Sequence, residues 1–469
     1  MRIPMRYPMY LRWGCSIMEE YIQVLLEQIR CKKVQPYIRE EIRGHLEEQI
    51  ADNMAVGMSR VDAEKAAVED MGSPVEVGVA LDRIHRPKVN WVLISLMAAI
   101  GLAGIILHEL MWRQMGLLAS GSREFVKHTI IGFALMLVVY RIDYSVIARF
   151  SKVIAIVMIL ACVVANMQGN VVGGIVQLEI LGRRISLFFP LLLYVPVYGA
   201  VIYKYHGQGY GGLFKSFLWM LVPVVCAFYL PQLMLSVTLL VSMMVVLTVA
   251  LARDWFLVPK KKVIAMLWGC GIGGPLAGVS ALVGFGLLKT HQMTRIKAFL
   301  CNTDNQGANY TTWQLREVLE KCRFVGSGAG NWMASESGIV YIPECNTGYI
   351  FSFILHNYGI LAGIILGVIL VAMIAIIFRI SFKQKNQLAM CMGCGCGMIL
   401  TLNIVINIAE NIGLFPVTET FLPFFSRGGS GIIVCYVMLG IILSIYRYKN
   451  IYPKHMNTKL GTTKITISL

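Results

Sequence analysis

This sequence predicts an all-α polytopic membrane protein. It should have about ten transmembrane helices, a large extracytoplasmic loop between the seventh and eighth, and a small cytoplasmic helical domain in front. Three observations carry that expectation. Of 469 residues, 57% are hydrophobic and 14% charged, against about 25% charged in soluble domains. Long apolar runs recur from Val89 to Tyr446, and each must be helical because unpaired backbone groups are too costly in hydrocarbon. The basic residues sit beside those runs, as Lys260–Lys262, Arg379–Lys383 and Tyr446–Lys454, which is the positive-inside arrangement. The net charge of +16 is therefore a membrane signature, and nucleic acid is not expected as a partner.

The elements follow in order. Residues 1–17 lack a sustained apolar core, so no cleavable signal is expected, and Met18 is an alternative start. Residues 18–88 read as a helical prefix domain. Ile22, Leu25, Leu26 and Ile29 have helical spacing, and a second helix begins near Gln35 and stops at Gly57. Ser59 caps a third helix that ends at Gly72, and Pro74 opens a fourth. The run GHLEEQIADNMAVGMSRVDAEKAAVEDMGSP resembles the small prefix domain found ahead of permease-like proteins in Gram-positive bacteria.

The transmembrane domain occupies 89–446, with apolar runs centred at 89–110, 127–142, 152–168, 187–205, 213–231, 233–251, 263–288, 349–378, 390–412 and 428–446. With the prefix inside, Arg141, Arg149, Lys152, Lys204, Arg253, Lys383 and Lys385 fall on the cytoplasmic side, and both termini are cytoplasmic. Residues 447–469 form a basic cytoplasmic tail. The hydrophilic block 289–348 is then extracytoplasmic, and TTWQLREVLEKCRF within it reads as a short helix. A loop of that length is where substrate chemistry or partner contact belongs. Twelve cysteines are scattered, and only Cys301, Cys322 and Cys345 share that loop, so no disulfide framework is expected. Cys391, Cys394 and Cys396 offer soft metal ligands, but Gly393, Gly395 and Gly397 between them read as helix-packing residues.

The last two runs carry the decisive motif. Asn407-Ile-Ala-Glu-Asn-Ile-Gly-Leu-Phe-Pro-Val-Thr418 precedes Phe421-Leu-Pro-Phe-Phe-Ser-Arg-Gly-Gly-Ser430. Pro416 and Pro423 break helical hydrogen bonding at membrane depth, where irregular backbone is tolerated only against protein or a polar cavity. Gly428, Gly429 and Ser430 open the last helix with small residues and free amide donors. The two stretches resemble the C-terminal signature of the SEDS family, the FtsW/RodA/SpoVE proteins of cell division, elongation and sporulation. Its pattern reads N-I-G-x-x-x-G-L-L-P-V-T-G, then P-L-P-F-x-S-Y-G-G-S. The likeness is clear over 290–446 and weaker back to 89.

That resemblance implies a peptidoglycan glycosyltransferase that polymerises lipid II, or a related polyprenyl-linked precursor, at the outer leaflet of the bacterial cell membrane. Its partner would be a class B penicillin-binding-type transpeptidase. The acceptor hydroxyl needs a carboxylate base, and the departing lipid pyrophosphate needs cations or amides. No cofactor is implied, though the reaction is compatible with a divalent cation such as Mg or Mn. By residue, the resemblance assigns substrate binding to Arg295, Lys297, Gly326, Ser327, Gly328, Thr347, Pro423, Ser426, Gly428, Gly429 and Ser430.

The catalytic position departs from the pattern. The family reads L-P-E-x-x-T-D-F-I-F, and here Ile342-Pro-Glu-Cys-Asn-Thr-Gly-Tyr-Ile-Phe351 places Gly348 where the functional aspartate belongs. Glu344 is the candidate substitute base. His356 and Asn357 stand where paired glutamates are common, Phe189-Pro-Leu-Leu192 lacks the acid of Q-P-S-E, and Gln232 takes the acid position of Q-P-D-L-G. Two alternatives therefore stand beside the enzyme: a non-catalytic precursor-binding or scaffold subunit of a peptidoglycan synthase, and a transporter of lipid-linked precursor. Against transport, Glu410 is the main acid within the crossings.

Overall fold

The computed structural model describes residues 16–114, 120–172, 175–180, 183–186, 188–230, 233–286, 310–329, 345–416, 418 and 420–453. The chain divides into two compact units, one of the first 88 residues with the segment from Tyr448, the other built on Val89–Arg447.

In the first unit, α1 (Ile17–Glu27), α2 (Gln35–Ala55), α3 (Arg60–Asp70) and α4 (Pro74–His85) follow in sequence. Tyr21, Ile22, Leu25 and Leu26 of α1 and Ile38, Ile42 and Leu46 of α2 are buried, at the three- and four-residue spacing that puts them on one face. Ser59 Oγ accepts from the Asp62 amide at 3.3 Å, the expected cap. Gly78 lets α4 approach α1, since a Cβ there would stand 2.6 Å from Leu25 O. The segment after the last transmembrane helix also belongs to this unit. Asn450 Nδ2 donates to Ile84 O at 2.9 Å, and Tyr452 meets Tyr37 edge-on at 6.1 Å.

The second unit is helical and polytopic. Among the described residues, seven helices are long and apolar enough to cross a membrane: α5 (Trp91–Gln114), α8 (Ser151–Gln168), α11 (Gly209–Tyr229), α12 (Leu233–Ala252), α17 (Ile360–Phe382), α18 (Gln387–Asn411) and α19 (Gly429–Arg447). The other three apolar runs carry helices of different character. α6 (Ser120–Arg141) begins with two polar turns, and a short α7 (Tyr144–Arg149) follows it. α9 (Phe188–Leu192) and α10 (Tyr194–Tyr203) divide one run. α13 (Lys260–Trp268) and α14 (Gly274–Gly284) are joined by a π-helical turn over Gly269–Gly273, where four of seven residues from Gly269 to Pro275 are glycine.

Two features depart from the sequence reading. Between α8 and α9 lies a three-stranded antiparallel sheet, β1 (Asn170–Val172), β2 (Ile175–Ile180) and β3 (Arg183–Ser186), with Val171 opposite Val176 and Leu178 opposite Ile185. The eighth apolar run is also two helices rather than one. α16 (Ile350–Tyr358) and α17 meet at Gly359, whose φ of 92° and ψ of 165° are open essentially to glycine alone. The expected loop helix is present as α15 (Tyr310–Glu320).

Close approach holds the bundle together. α19 packs along α6, and a Cβ at Gly440 would stand 2.7 Å from Val139 Cβ. α18 is the inner helix, with Cys391, Cys394 and Cys396 fully buried. Its interleaved glycines face Ser381, the Pro196 nitrogen and Phe378. The glycines between the cysteines thus serve helix packing, and among the described residues no group of three or more His, Cys, Asp or Glu side chains is placed to hold a metal ion.

Candidate functional site

The site is built where α18 ends and the chain between α18 and α19 leaves helical geometry. Asn407 and Asn411 lie one turn apart on the last two turns of α18, so their side chains share a face. Both amides donate to the Gly348 carbonyl, at 2.8 and 2.9 Å. Asn411 Oδ1 in turn accepts from the Ser352 amide at 2.9 Å and the Ser352 hydroxyl at 2.8 Å. The turn 345–349 is thereby fixed to α18 before α16 begins. Asn407, Asn411 and Ser352 are fully buried and Gly348 is half-buried, which makes these bonds costly to lose.

Glu410 serves the segment on the other side. Its Oε1 accepts from the Thr418 amide at 3.0 Å, and Oε2 from the Thr420 hydroxyl at 2.6 Å. Both oxygens bond chain after Pro416, so this acid shapes the broken segment. Asn407 also reaches Thr420 O at 3.3 Å. Ser426 Oγ accepts from the Leu422 amide at 2.7 Å, closing the turn around buried Pro423. The Arg427 amide donates to Asn346 O at 2.8 Å, which sets the start of α19 directly against the Gly348 turn.

α5 and α15 complete the surround. His108 Nε2 donates to Phe425 O at 2.7 Å while its ring stacks on Phe125 at 3.9 Å. Arg427 lies over the Trp112 ring at 5.4 Å. Leu315 and Val318 of α15 pack with Met111, Tyr349 and Phe353, and Arg316 Nη2 donates to Gly413 O at 3.0 Å. Cys345 borders this cluster, and burial pushes its thiol up to about 11, so it is no ready nucleophile.

The predicted site residues divide into three groups. Thr347, Gly348, Pro423, Ser426, Gly428, Gly429 and Ser430 lie on the two segments that the Arg427–Asn346 bond joins. Phe189 seals their edge, 5.1 Å from Phe421 and in the way of any Cβ at Gly431. This brings the Phe189–Leu192 segment to the motif. Gly326, Ser327 and Gly328 are placed elsewhere. Gly326 donates to Tyr358 O at 3.3 Å and Gly328 to His356 O at 2.7 Å. The length of α16, roughly 12 Å at 1.5 Å per residue, separates that turn from Gly348. Glu344, Arg295 and Lys297 lie outside the described residues.

Gly348, which the resemblance puts at the acid position, has room for a β-carbon: among the described residues one added there would meet only Thr420 O, at an ordinary 3.6 Å. Gly348 is also not among the positive-φ glycines, so side-chain-bearing residues can adopt its backbone.

A family model for cell cycle proteins of the FtsW/RodA/SpoVE type matches residues 88–451. The chain belongs to this family. Among its relatives, the probable peptidoglycan glycosyltransferase FtsW of Wigglesworthia glossinidia brevipalpis is 24% identical over 373 residues, 75% of this chain and 92% of that protein. A solved chain from work on the structural coordination of polymerization and crosslinking by a peptidoglycan synthase complex superposes with a TM-score of 0.61 at 18% identity, covering 76% of this chain and 98% of its own. The rod shape determining protein RodA of Thermus thermophilus gives 0.53 at 16% identity, over 77% and 97%. Those structures share the FtsW/RodA/SpoVE fold.

In this family member, sequence reasoning did not single out Asn407, Asn411 and His108. The two asparagines were visible within the Asn407–Thr418 motif, and their spacing of four residues was the available signal. His108 had none beyond being a polar residue late in an apolar run.

Proposed function

We propose that the chain is a SEDS-type, peptidoglycan glycosyltransferase-like protein of the bacterial cell membrane. It binds lipid II, or a related polyprenyl-linked disaccharide, at the turn 345–349 and the start of α19, and it works beside a class B penicillin-binding-type transpeptidase. The observation that carries this reading is the Gly348 turn. Two buried asparagines hold its backbone, and only the side chain is missing. The glycosyltransferase names among its relatives and the likeness to a synthase complex support the same substrate and partner classes.

The orientation follows from charge. Lys204 Nζ donates to Arg149 O at 2.8 Å, and Lys152 lies 4.7 Å over Tyr205, so these lysines gather at one end. α18 begins near Lys383 and Lys385 and ends at the site, about 36 Å away at 1.5 Å per residue. A positive-inside arrangement therefore puts the site and the 289–348 loop outside and both termini in the cytoplasm.

In the reaction, an acceptor sugar hydroxyl attacks the anomeric carbon of the donor as the lipid pyrophosphate leaves. The hydroxyl proton must go to a base. Gly348 offers none, and general-base assistance is worth roughly 10²–10⁴-fold. We therefore expect the purified chain to bind labelled lipid II while forming little or no glycan with a transpeptidase partner supplied. Vigorous polymerisation abolished by Glu344→Gln would overturn the impaired reading and make Glu344 the base. Absence of lipid II binding would remove the precursor-binding reading altogether.

A further inference from the structure

We infer that Arg427 is a phosphate-binding residue, which makes the start of α19 beside the Gly348 turn an anion-holding site. The inference deepens the proposed function and rests on it for the identity of the lipid. Arg427 stands where the family pattern carries tyrosine. Its backbone is tied to Asn346, two residues from Gly348, and its guanidinium lies over Trp112, which packs against the cluster that contains Tyr349.

The surrounding charges explain what the guanidinium lacks. It is half-buried and seated on Trp112, and among the described residues no carboxylate pairs with it. Glu410, the acid of the Asn407–Thr418 motif, has both oxygens engaged by Thr418 and Thr420. On α6, Glu124 is engaged by Lys127 at 3.7 Å and His128 at 4.0 Å. A second guanidinium, that of Arg316, is turned to Gly413 O. The Trp112 indole N–H beneath Arg427 is buried with no acceptor. Among the described residues the setting is rich in donors and poor in acceptors. A half-withdrawn cation of this kind is compensated by an anion, and a planar guanidinium suits the paired oxygens of a phosphate or pyrophosphate. Polyprenyl-linked pyrophosphate, polyprenyl monophosphate and free pyrophosphate share that chemistry.

The test measures equilibrium binding to the full chain in nanodiscs of fixed lipid composition. Labelled lipid II, polyprenyl monophosphate and inorganic pyrophosphate are compared with neutral polyprenol. Arg427→Gln and Arg427→Tyr should weaken both phosphate-bearing lipids by about ten- to a hundredfold and leave polyprenol unchanged. Arg427→Lys keeps the charge without the fork and should fall between, which separates charge from loss of fold. Equal lipid II affinity in wild type and Arg427→Gln overturns the inference while leaving the proposed function standing. Arg427-dependent binding of monophosphate without binding of lipid II supports the anion site and removes the disaccharide reading. No binding of any phosphate-bearing ligand by wild type refutes both.

Discussion

Asn411 does more at this site than any motif glycine. Its carboxamide donates to Gly348 O and accepts twice from Ser352, so it joins the catalytic-position turn to the inner helix. Removing it leaves the buried Ser352 amide without a partner, and Gly348 O keeps only Asn407. Asn403, two turns earlier on the same helix, is similarly buried but donates only to Ile399 O at 2.9 Å. Thermal unfolding in detergent should therefore show Asn411→Ala destabilised by about 1–3 kcal/mol and Asn403→Ala by much less. Equal losses at the two positions would contradict the clamp. The clamp was only half legible in the sequence. The N-I-G motif marked the place, but which carbonyl its amides reach is long-range, since Gly348 is 59 residues from Asn407. Glu410 was easier to see, as a lone acid in an apolar helix, and its partners show it bracing the broken segment.

At the scale of elements, periodicity and hydropathy marked most helices, and the failures share one cause. Glycines that interrupt a run act through backbone angles, which composition does not report. Gly359 divides α16 from α17 and lets residues 323–326 pair with the joint, where Ile360 donates to Arg323 O at 3.0 Å and Leu361 to Phe324 O at 3.0 Å. A Cβ at Gly359 would stand 2.8 Å from Phe324 O, at a φ of 92°. Gly359→Ala should cost at least about 1–3 kcal/mol. Gly367→Ala, mid-helix with nothing within 4 Å of its added Cβ, should be neutral or stabilise by up to about 1 kcal/mol. Matching melting temperatures for the two variants would refute the hinge. The small sheet had a signal that went unread: Gly173-Gly174 sits between β-branched runs, a pattern that favours a hairpin. Its neighbours in sequence are membrane helices, and that context hid it.

For the molecule as a whole, the sequence revealed the membrane class and the family, because each is written in composition or in an ordered motif. It did not reveal that the segment from Tyr448 joins the unit formed by the first helices, since Asn450 and Ile84 are 366 residues apart. Nor did it separate the Gly326–Gly328 turn from the Gly348 turn, which only the rise of α16 makes plain. The central claim is that the family site is kept in its backbone and altered in its chemistry. The most direct test is glycan-chain formation from labelled lipid II by Gly348→Asp beside wild type, with a class B transpeptidase partner present in both reactions. The account predicts little product from wild type and roughly a hundredfold more, or better, from Gly348→Asp, since among the described residues the added β-carbon meets only Thr420 O at 3.6 Å. Robust polymerisation by wild type, with no gain or a loss in Gly348→Asp, would contradict it.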